Sequence, residues 1–425
     1  TAAIADGATT AITTGSGNTT ITGDAANAGN GAVAINANAL VDDGSLNING
    51  DAAFNVTGLT ADLTSTATGT VAATLEDDAA LAGVSTTITN NAAAANFTVN
   101  SGSFDANDTI VLAGSNAITV EATDSVAVTT GTASASVSQT TGNTATINAT
   151  AMNDANTLTI SGAGNHTVTG LTADLTSTAA GGAVNVTTAN VASQSINLGT
   201  GTTGTRTVDA TAMADNSSLN LQGSGDATLT VNDANVDAST YAGNLTVNAA
   251  GGSNASTITT GTGADTITSG SGNDVINTGT GNDTLSFTQN QLAAATVNGG
   301  NDTDTVLISA ASTAIVDADF TNFSNVETLQ LTGASSAVLA TEANQAGIST
   351  VKAGNGDTTI TVNGFAITID ATLMDAIYTL TVLGDGTFTV NGLGANLNAS
   401  GATGTVTATT ANATDNSINV ITGTA

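Results

Sequence analysis

The chain has 425 residues with no Cys, Pro or Trp, only two Lys+Arg, one His and 34 acidic residues, for a formal net charge of −32. That balance excludes nucleic acid and anionic membrane surfaces as partners, because Arg206 and Lys352 cannot neutralise a phosphate backbone. Divalent cations are the natural counter-ions, and with no disulfide framework possible, metal and a long ordered stack are the candidate staples for an exported chain.

Hydrophobic residues make up 40% of the chain, aromatic ones 2% and charged ones 8%. Long blocks alternate apolar and polar residues, the period of a pleated strand with one buried face. Thr, Ser and Asn supply most of the polar surface, and such short or β-branched side chains suit sheets with tight corners. With no Pro, every backbone N–H can join a ladder. No run of 18 apolar residues exists, so no transmembrane helix is expected. The opening Thr1-Ala2-Ala3-Ile4 is not an initiator Met with a signal peptide, which predicts a processed N-terminus or a piece of a longer chain. Soon after it, Thr14–Thr22 reads TGSGNTTIT, a plain turn.

Internal repeats come next in the chain. Gly58–Thr66 reads GLTADLTST and recurs identically at Gly170–Thr178, 112 residues later, with a looser copy, GLGANLNAS, at Gly392–Ser400. A companion block precedes each: INANALVDDGSLNINGDAAFNV from Ile35, INATAMNDANTLTISGAGNHTV from Ile147 and IDATLMDAIYTLTVLGDGTFTV from Ile369. Further copies start at Val208 and Val236. Segments such as Ser45–Asn49 and Thr157–Ser161 put Leu and Ile on one face and Thr, Asn and Ser on the other. Each strand is too short to bury its apolar face alone, and stacking coil on coil supplies that burial. The fold expected is therefore all-β, a repetitive β-solenoid of the parallel β-helix or β-roll kind, with edge-to-edge sandwich repeats as the competing arrangement. Helices should be few and short, the best candidate being the Ala-rich turn Ala149–Ala155. The last residues, Ser417–Thr424, match Ser195–Thr202, so the array is expected to continue or to be cut at the end.

A second, shorter period lies between. Thr260–Thr268 reads TGTGADTIT, Ser269–Asn277 SGSGNDVIN and Thr278–Ser286 TGTGNDTLS. They follow the nonapeptide G-G-x-G-x-D-x-U-x with Thr or Ser in place of the first Gly. Gly251–Thr259 keeps the register with Ser256 where the Asp belongs, and Gly299–Leu307 is a displaced copy with Asp304 in place and Asp302 beside it. Glycines let such a loop turn carbonyls inward, the Asp adds charged oxygen, and the apolar residue two positions on points into the core. Hard oxygen donors in a flexible loop favour Ca2+. Two nonapeptides make one coil, which stacks Asp265 on Asp283 and sets Asp274 opposite. Charges one coil apart, about 4.8 Å, repel by roughly 3.5 kcal/mol at an effective dielectric of about 20, so the run needs a cation.

On these residues the run resembles the calcium-binding repeats of RTX proteins. Phe320–Leu331, FTNFSNVETLQL, resembles a segment common in RTX-type S-layer proteins. The resemblance implies a calcium-dependent β-roll, export unfolded by a type I system, folding outside the cell, and assembly into a surface lattice. It carries over Asp265, Asp274 and Asp283 as Ca2+ ligands, with backbone oxygens near Gly261, Gly263, Gly270, Gly272, Gly279 and Gly281, and extends to Asp302 and Asp304. The organisation expected is solenoid repeats over 1–250, the RTX-like β-roll over 251–310 and further repeats over 311–425.

An enzyme is not expected. One His, one Lys and no Cys remove most nucleophile–base pairs. His166 in Gly-Asn-His-Thr-Val, set beside Ala53 and Thr387 of the parallel copies, is predicted at a solvated corner. Asp42/Asp43, Glu76/Asp77/Asp78 and Asp302/Asp304 could pair for sugar hydrolysis, but no aromatic platform accompanies them. Three readings remain, in order: a structural lattice, sheath or filament subunit that partners with itself and with a cell-surface polysaccharide as candidate anchor; the extender of a large adhesin; and an ice-binding solenoid. All are extracellular.

Overall fold

The structure is a computed structural model that describes residues 3–4, 8–25, 31–77, 83–93, 96–104, 107–201, 203–411 and 418–422. Asp78, Thr202, Ser417, Gly423 and Thr424, which entered the sequence reading, lie outside the described residues. The chain forms two compact units: Thr1–Met213 with Leu219–Ala227, and Ala214–Ser218 with Thr228–Ala425. Each is a β-solenoid whose successive strands fall in alternate sheets and pair in parallel with the next but one, except that in the second unit the facing sheet ends at Phe323–Ser324 and a separate five-stranded parallel sheet begins at Ser335–Leu339.

In the first unit one core ladder runs Ile110, Val128, Ile147, Val168, Val186, Val208, each residue opposite the next in register. A facing ladder runs Val99, Val120, Val137, Ile160. All of these are buried. Burial of Val, Ile and Leu in single-file rows explains how a chain so poor in aromatics holds a core: each side chain is covered by its own counterpart one coil away.

The GLTADLTS repeat is a β-bulge. Register shifts between Val56 and Leu59, between Val168 and Leu171, and again between Val390 and Leu393 in the second unit. The glycines inside these bulges, Gly58, Gly170 and Gly392, have φ of 66°, 62° and 64°. A Cβ at Gly170 would stand 2.2 Å from Thr150 Cγ2, so both conformation and space demand Gly there.

The Ala-rich blocks are turns and not helices. Leu40 N–H donates to Ala37 O, Met152 to Ala149, Met213 to Ala210, Tyr241 to Ala238 and Met374 to Ala371, at 2.9, 3.3, 3.1, 2.9 and 3.1 Å. Both ends of each turn are buried. The chain must reverse within one coil to feed the next strand, and an i to i+3 turn does so where a helix would carry it away. The described helices are short: Gln289–Leu292, Thr341–Ala346 and a 3-10 turn at Asp317–Phe320.

His166 also departs from expectation. It is fully buried, in register with Ala145 and Val184 on the core side of Asn165–Leu171. In the repeat it takes the place of Phe54 and Phe388, which are inward, and not that of Ala53 and Thr387. A one-residue slip in a strand exchanges the two faces, and that slip produced the solvated reading. Neither ring nitrogen makes a hydrogen bond, and burial pushes the imidazole pKa below its usual value, opposed only in part by the nearby carbonyls of Val137, Gly164 and Ser161.

In the second unit one sheet runs Leu245–Asn248, Thr266–Thr268, Thr284–Phe287, Thr305–Ile308, Thr328–Gln330, Thr350–Lys352, Ala366–Asp370, Thr387–Leu393 and Val406–Thr410. Its core row is Val247, Ile267, Leu285, Val306, Leu329, Val351, Ile369 and Val390. Beside it stand nine threonines in register: Thr246, Thr266, Thr284, Thr305, Thr328, Thr350, Thr368, Thr389 and Thr407. The facing sheet stacks Ile258, Ile276, Val297 and Phe323. Phe323 packs edge-on against Phe320 and Phe287, with ring centroids 5.7 and 6.1 Å apart. That apolar plug, with buried Val326, Leu329 and Leu331, accounts for most of the FTNFSNVETLQL segment.

Candidate calcium centre

The nonapeptides form short strands joined by Gly-rich corners. Thr257 pairs with Val275 and Thr266 with Thr284, so one coil consumes 18 residues and the aspartates of alternate repeats fall on one edge. Asp265 and Asp283 stack on the first edge, and the displaced copy continues the row with Asp304. The contacts repeat from coil to coil. One carboxylate oxygen of Asp265 accepts the Leu245 N–H at 2.7 Å, Asp283 that of Asp265 at 2.7 Å, and Asp304 that of Asp283 at 2.9 Å. The second oxygen, Oδ2, of all three is buried and has no hydrogen-bond partner. Thr260 and Thr278 sit close by, but each hydroxyl has one proton and gives it to a carbonyl, that of Thr278 and of Gly299 respectively.

Three anionic oxygens buried without partners are unstable as they stand. Burial pushes the Asp265 carboxyl above the usual carboxylate range, against the Leu245 N–H. Asp283 is pushed up to about 6, mainly by burial, with the charges of Asp265 and Asp302 adding to it. Asp304 is pushed up to about 7, again first by burial and then by Asp283, Glu327 and Asp302. Among the described residues no three acidic or imidazole side chains converge on one point, so a bound ion draws its remaining ligands from carbonyls. The corners offer them. A Cβ at Gly281 would stand 1.8 Å from Gly263 O, and one at Gly279 2.2 Å from Gly261 O, so glycine is what lets stacked carbonyls approach this edge. Gly263, Gly279 and Gly281 also have positive φ, at 134°, 92° and 125°. Gly261, Gly270 and Gly272 do not; they are held by close approach to the carbonyls of Tyr241, Gly252 and Asn254, at 2.2, 2.8 and 2.0 Å from an added Cβ. A donor set made only of carboxylate and carbonyl oxygen fits calcium.

Asp274 lies elsewhere, on the opposite edge. It too is buried, but Oδ1 accepts from Ser256 N and Oγ, both at 3.1 Å, and Oδ2 from Ser269 Oγ at 2.6 Å. Ser256 above it and Ala295 on the next coil leave it without an acidic neighbour on its row. Asp302 is exposed at the rim of the first edge, with φ 82°, and its Oδ2 faces Gly281 N at 3.3 Å. It occupies the position that Gly263 and Gly281 hold on the two preceding coils. The Thr or Ser at each first position of the nonapeptide is buried and bonded in all three copies.

Residues 250–285 match the family model of the RTX calcium-binding nonapeptide repeat (4 copies). The run is an RTX calcium-binding segment. No curated protein and no solved structure matches the chain. The match takes in the Ser256 copy and ends before Asp302 and Asp304. RTX repeats are typical of secreted proteins, and an RTX run built into a β-solenoid points to an extracellular calcium-binding repeat protein. Among the described residues no helix is long and apolar enough to cross a membrane.

Proposed function

We propose that the protein is a structural component of a cell surface, a calcium-stabilised subunit that assembles with itself into an S-layer, sheath or filament. The observation that carries this reading is the RTX edge itself. Three buried, partnerless carboxylate oxygens lie inside a stack of coils, where an ion joins coil to coil. A metal so placed holds a scaffold together. The rest of the chain agrees with a scaffold role, since its one His is buried in the core and much of its outward surface is Thr, Asn and Ser. On this reading the protein is not an enzyme, leaves its cell by a type I system, folds where calcium is plentiful, and is anchored through a surface polysaccharide.

The nine-threonine row supports a second reading, an ice-binding face. The row two positions along it reads Asn248, Thr268, Ser286, Leu307, Gln330, Lys352, Asp370 and Asn391, so the threonines form a single file without a matching second one. The assembly reading therefore ranks first, with an adhesin extender as its nearest competitor. Electron microscopy of the protein with and without calcium separates them: calcium-dependent sheets or filaments are expected, isolated rods would favour the extender, and shaped ice crystals without assembly would favour the Thr row.

A further inference from the structure

The geometry points to one more divalent-cation site, beyond the RTX repeats, in which Glu327 takes the place of the next aspartate. This rests on the calcium reading of the run. The row of acidic residues does not end at Asp304. Its N–H donates to Glu327 Oε2 at 2.8 Å, as Asp283 N–H does to Asp304 and Asp265 N–H to Asp283. The backbone continues in the same register: Thr284 N–H donates to Asp265 O, Thr305 to Asp283 O, Thr328 to Asp304 O and Thr350 to Glu327 O, at 2.8, 2.8, 2.9 and 3.0 Å. The row thus reads Leu245, Asp265, Asp283, Asp304, Glu327, Ser349, with four acids between two neutral ends.

Several features around Glu327 point to a ligand. Asp304 is wholly buried and its Oδ2 has no partner. Gly299 lies beside it, and an added Cβ there would stand 2.6 Å from that oxygen and 2.0 Å from Asn325 O. The two oxygens therefore face one small space that any side chain would fill. Asn325 holds its carbonyl there with φ 53°, a conformation that Asn tolerates and most residues resist. Its side chain is tied down by a 2.7 Å bond to Asn298 Oδ1. Asp304 Oδ2 and Asn325 O, with the Glu327 carboxylate on the Asp304 N–H, thus supply a set of hard oxygens on a loop. That chemistry takes Ca2+ in preference to the smaller, more rigidly octahedral Mg2+. An ion here would tie the coil starting at Asn325, including helix Thr341–Ala346, to the RTX run.

The experiment counts bound calcium on the full chain by equilibrium dialysis against labelled Ca2+, for wild type and Glu327→Gln. The amide retains an oxygen for the Asp304 N–H and removes only the charge. Loss of one ion per chain, or at least tenfold weaker binding in one class of site, is expected, with the remaining sites unchanged. Equal stoichiometry and affinity in the two proteins would overturn the inference while leaving the RTX sites standing. A wild type that binds no calcium would overturn both. Hydrogen exchange on the wild type needs no variant: calcium should slow exchange of the Asp304, Ser349 and Thr350 amides together with those of 260–286. Protection confined to 260–286 would reduce Glu327 to a cap on the Asp304 N–H.

Discussion

On one edge of the RTX run Asp265, Asp283 and Asp304 stack coil above coil; on the other, Asp274 sits between Ser256 and Ser269. The nonapeptide is the same on both sides, and the burial is the same. The difference lies in what surrounds the second carboxylate oxygen. Hydroxyls of Ser256 and Ser269 satisfy Asp274, whereas the Thr260 and Thr278 hydroxyls turn their protons to carbonyls and leave Asp265 and Asp283 each with an open oxygen. What leaves an Asp oxygen in this repeat open to a metal is the absence of competing donors, and an acidic neighbour one coil away raises the cost of its charge.

The comparison breaks most directly at Asp283, the middle of the acidic row. At calcium 100 times its dissociation constant each site contributes about 2.7 kcal/mol to stability, and Asp283 borders the sites on both sides of it. Asp283→Ala should therefore abolish most of the calcium-induced rise in melting temperature. Asp274→Ala should leave that rise largely intact while costing roughly 1–3 kcal/mol with or without calcium, because buried Ser donors lose their acceptor. Equal calcium responses in the two variants would erase the distinction between the edges.

A pH series sharpens it further. Asp283 and Asp304 have folded pKa values raised to about 6 and about 7, so the folded, calcium-free protein binds more protons than the unfolded chain. The stability that these two carboxyls contribute should be fully present at acid pH, below the ordinary carboxylate value, and should be lost as pH rises through about 6 to 7. Calcium requires the carboxylates ionised, so its binding should release protons at pH 6 and almost none at pH 8, as calorimetry in buffers of different ionisation enthalpy would report. A calcium-free melting temperature that climbs between pH 5 and pH 7.5 would contradict the assignment.

The smallest effect is expected at Asp302. Its carboxylate is exposed and its φ is 82°, so Asp302→Ala should weaken calcium binding far less than Asp283→Ala. Asp302→Gly should stabilise the calcium-free protein by about 0.5–1 kcal/mol, since Gly accepts that backbone conformation without strain. Urea midpoints of the two variants measure both.

Much of this was legible in the sequence. Alternation placed the strands, recurrence placed the coils, and the period of nine stacked Asp265 on Asp283 with Asp274 opposite. Glu327 was not legible as a member of the row. The coil lengthens from 18 to 21 and then 23 residues as helix Gln289–Leu292 and the Asp317–Phe320 turn are inserted, and a changing period leaves no spacing to extrapolate. His166 failed for the opposite reason: its repeat was seen, but a slip of one residue reversed its face.

By itself, then, the sequence determined the all-β, coil-on-coil plan and the oxygen chemistry, because both depend on local period and composition. Only the tertiary structure decided which aspartates stay unsatisfied, that the Gly-Leu repeats are bulges, and that Glu327 closes the acidic row. Those outcomes depend on which donor on one coil lies opposite which acceptor on the next. That juxtaposition is set by coil length and packing, which residues distant in the chain fix jointly.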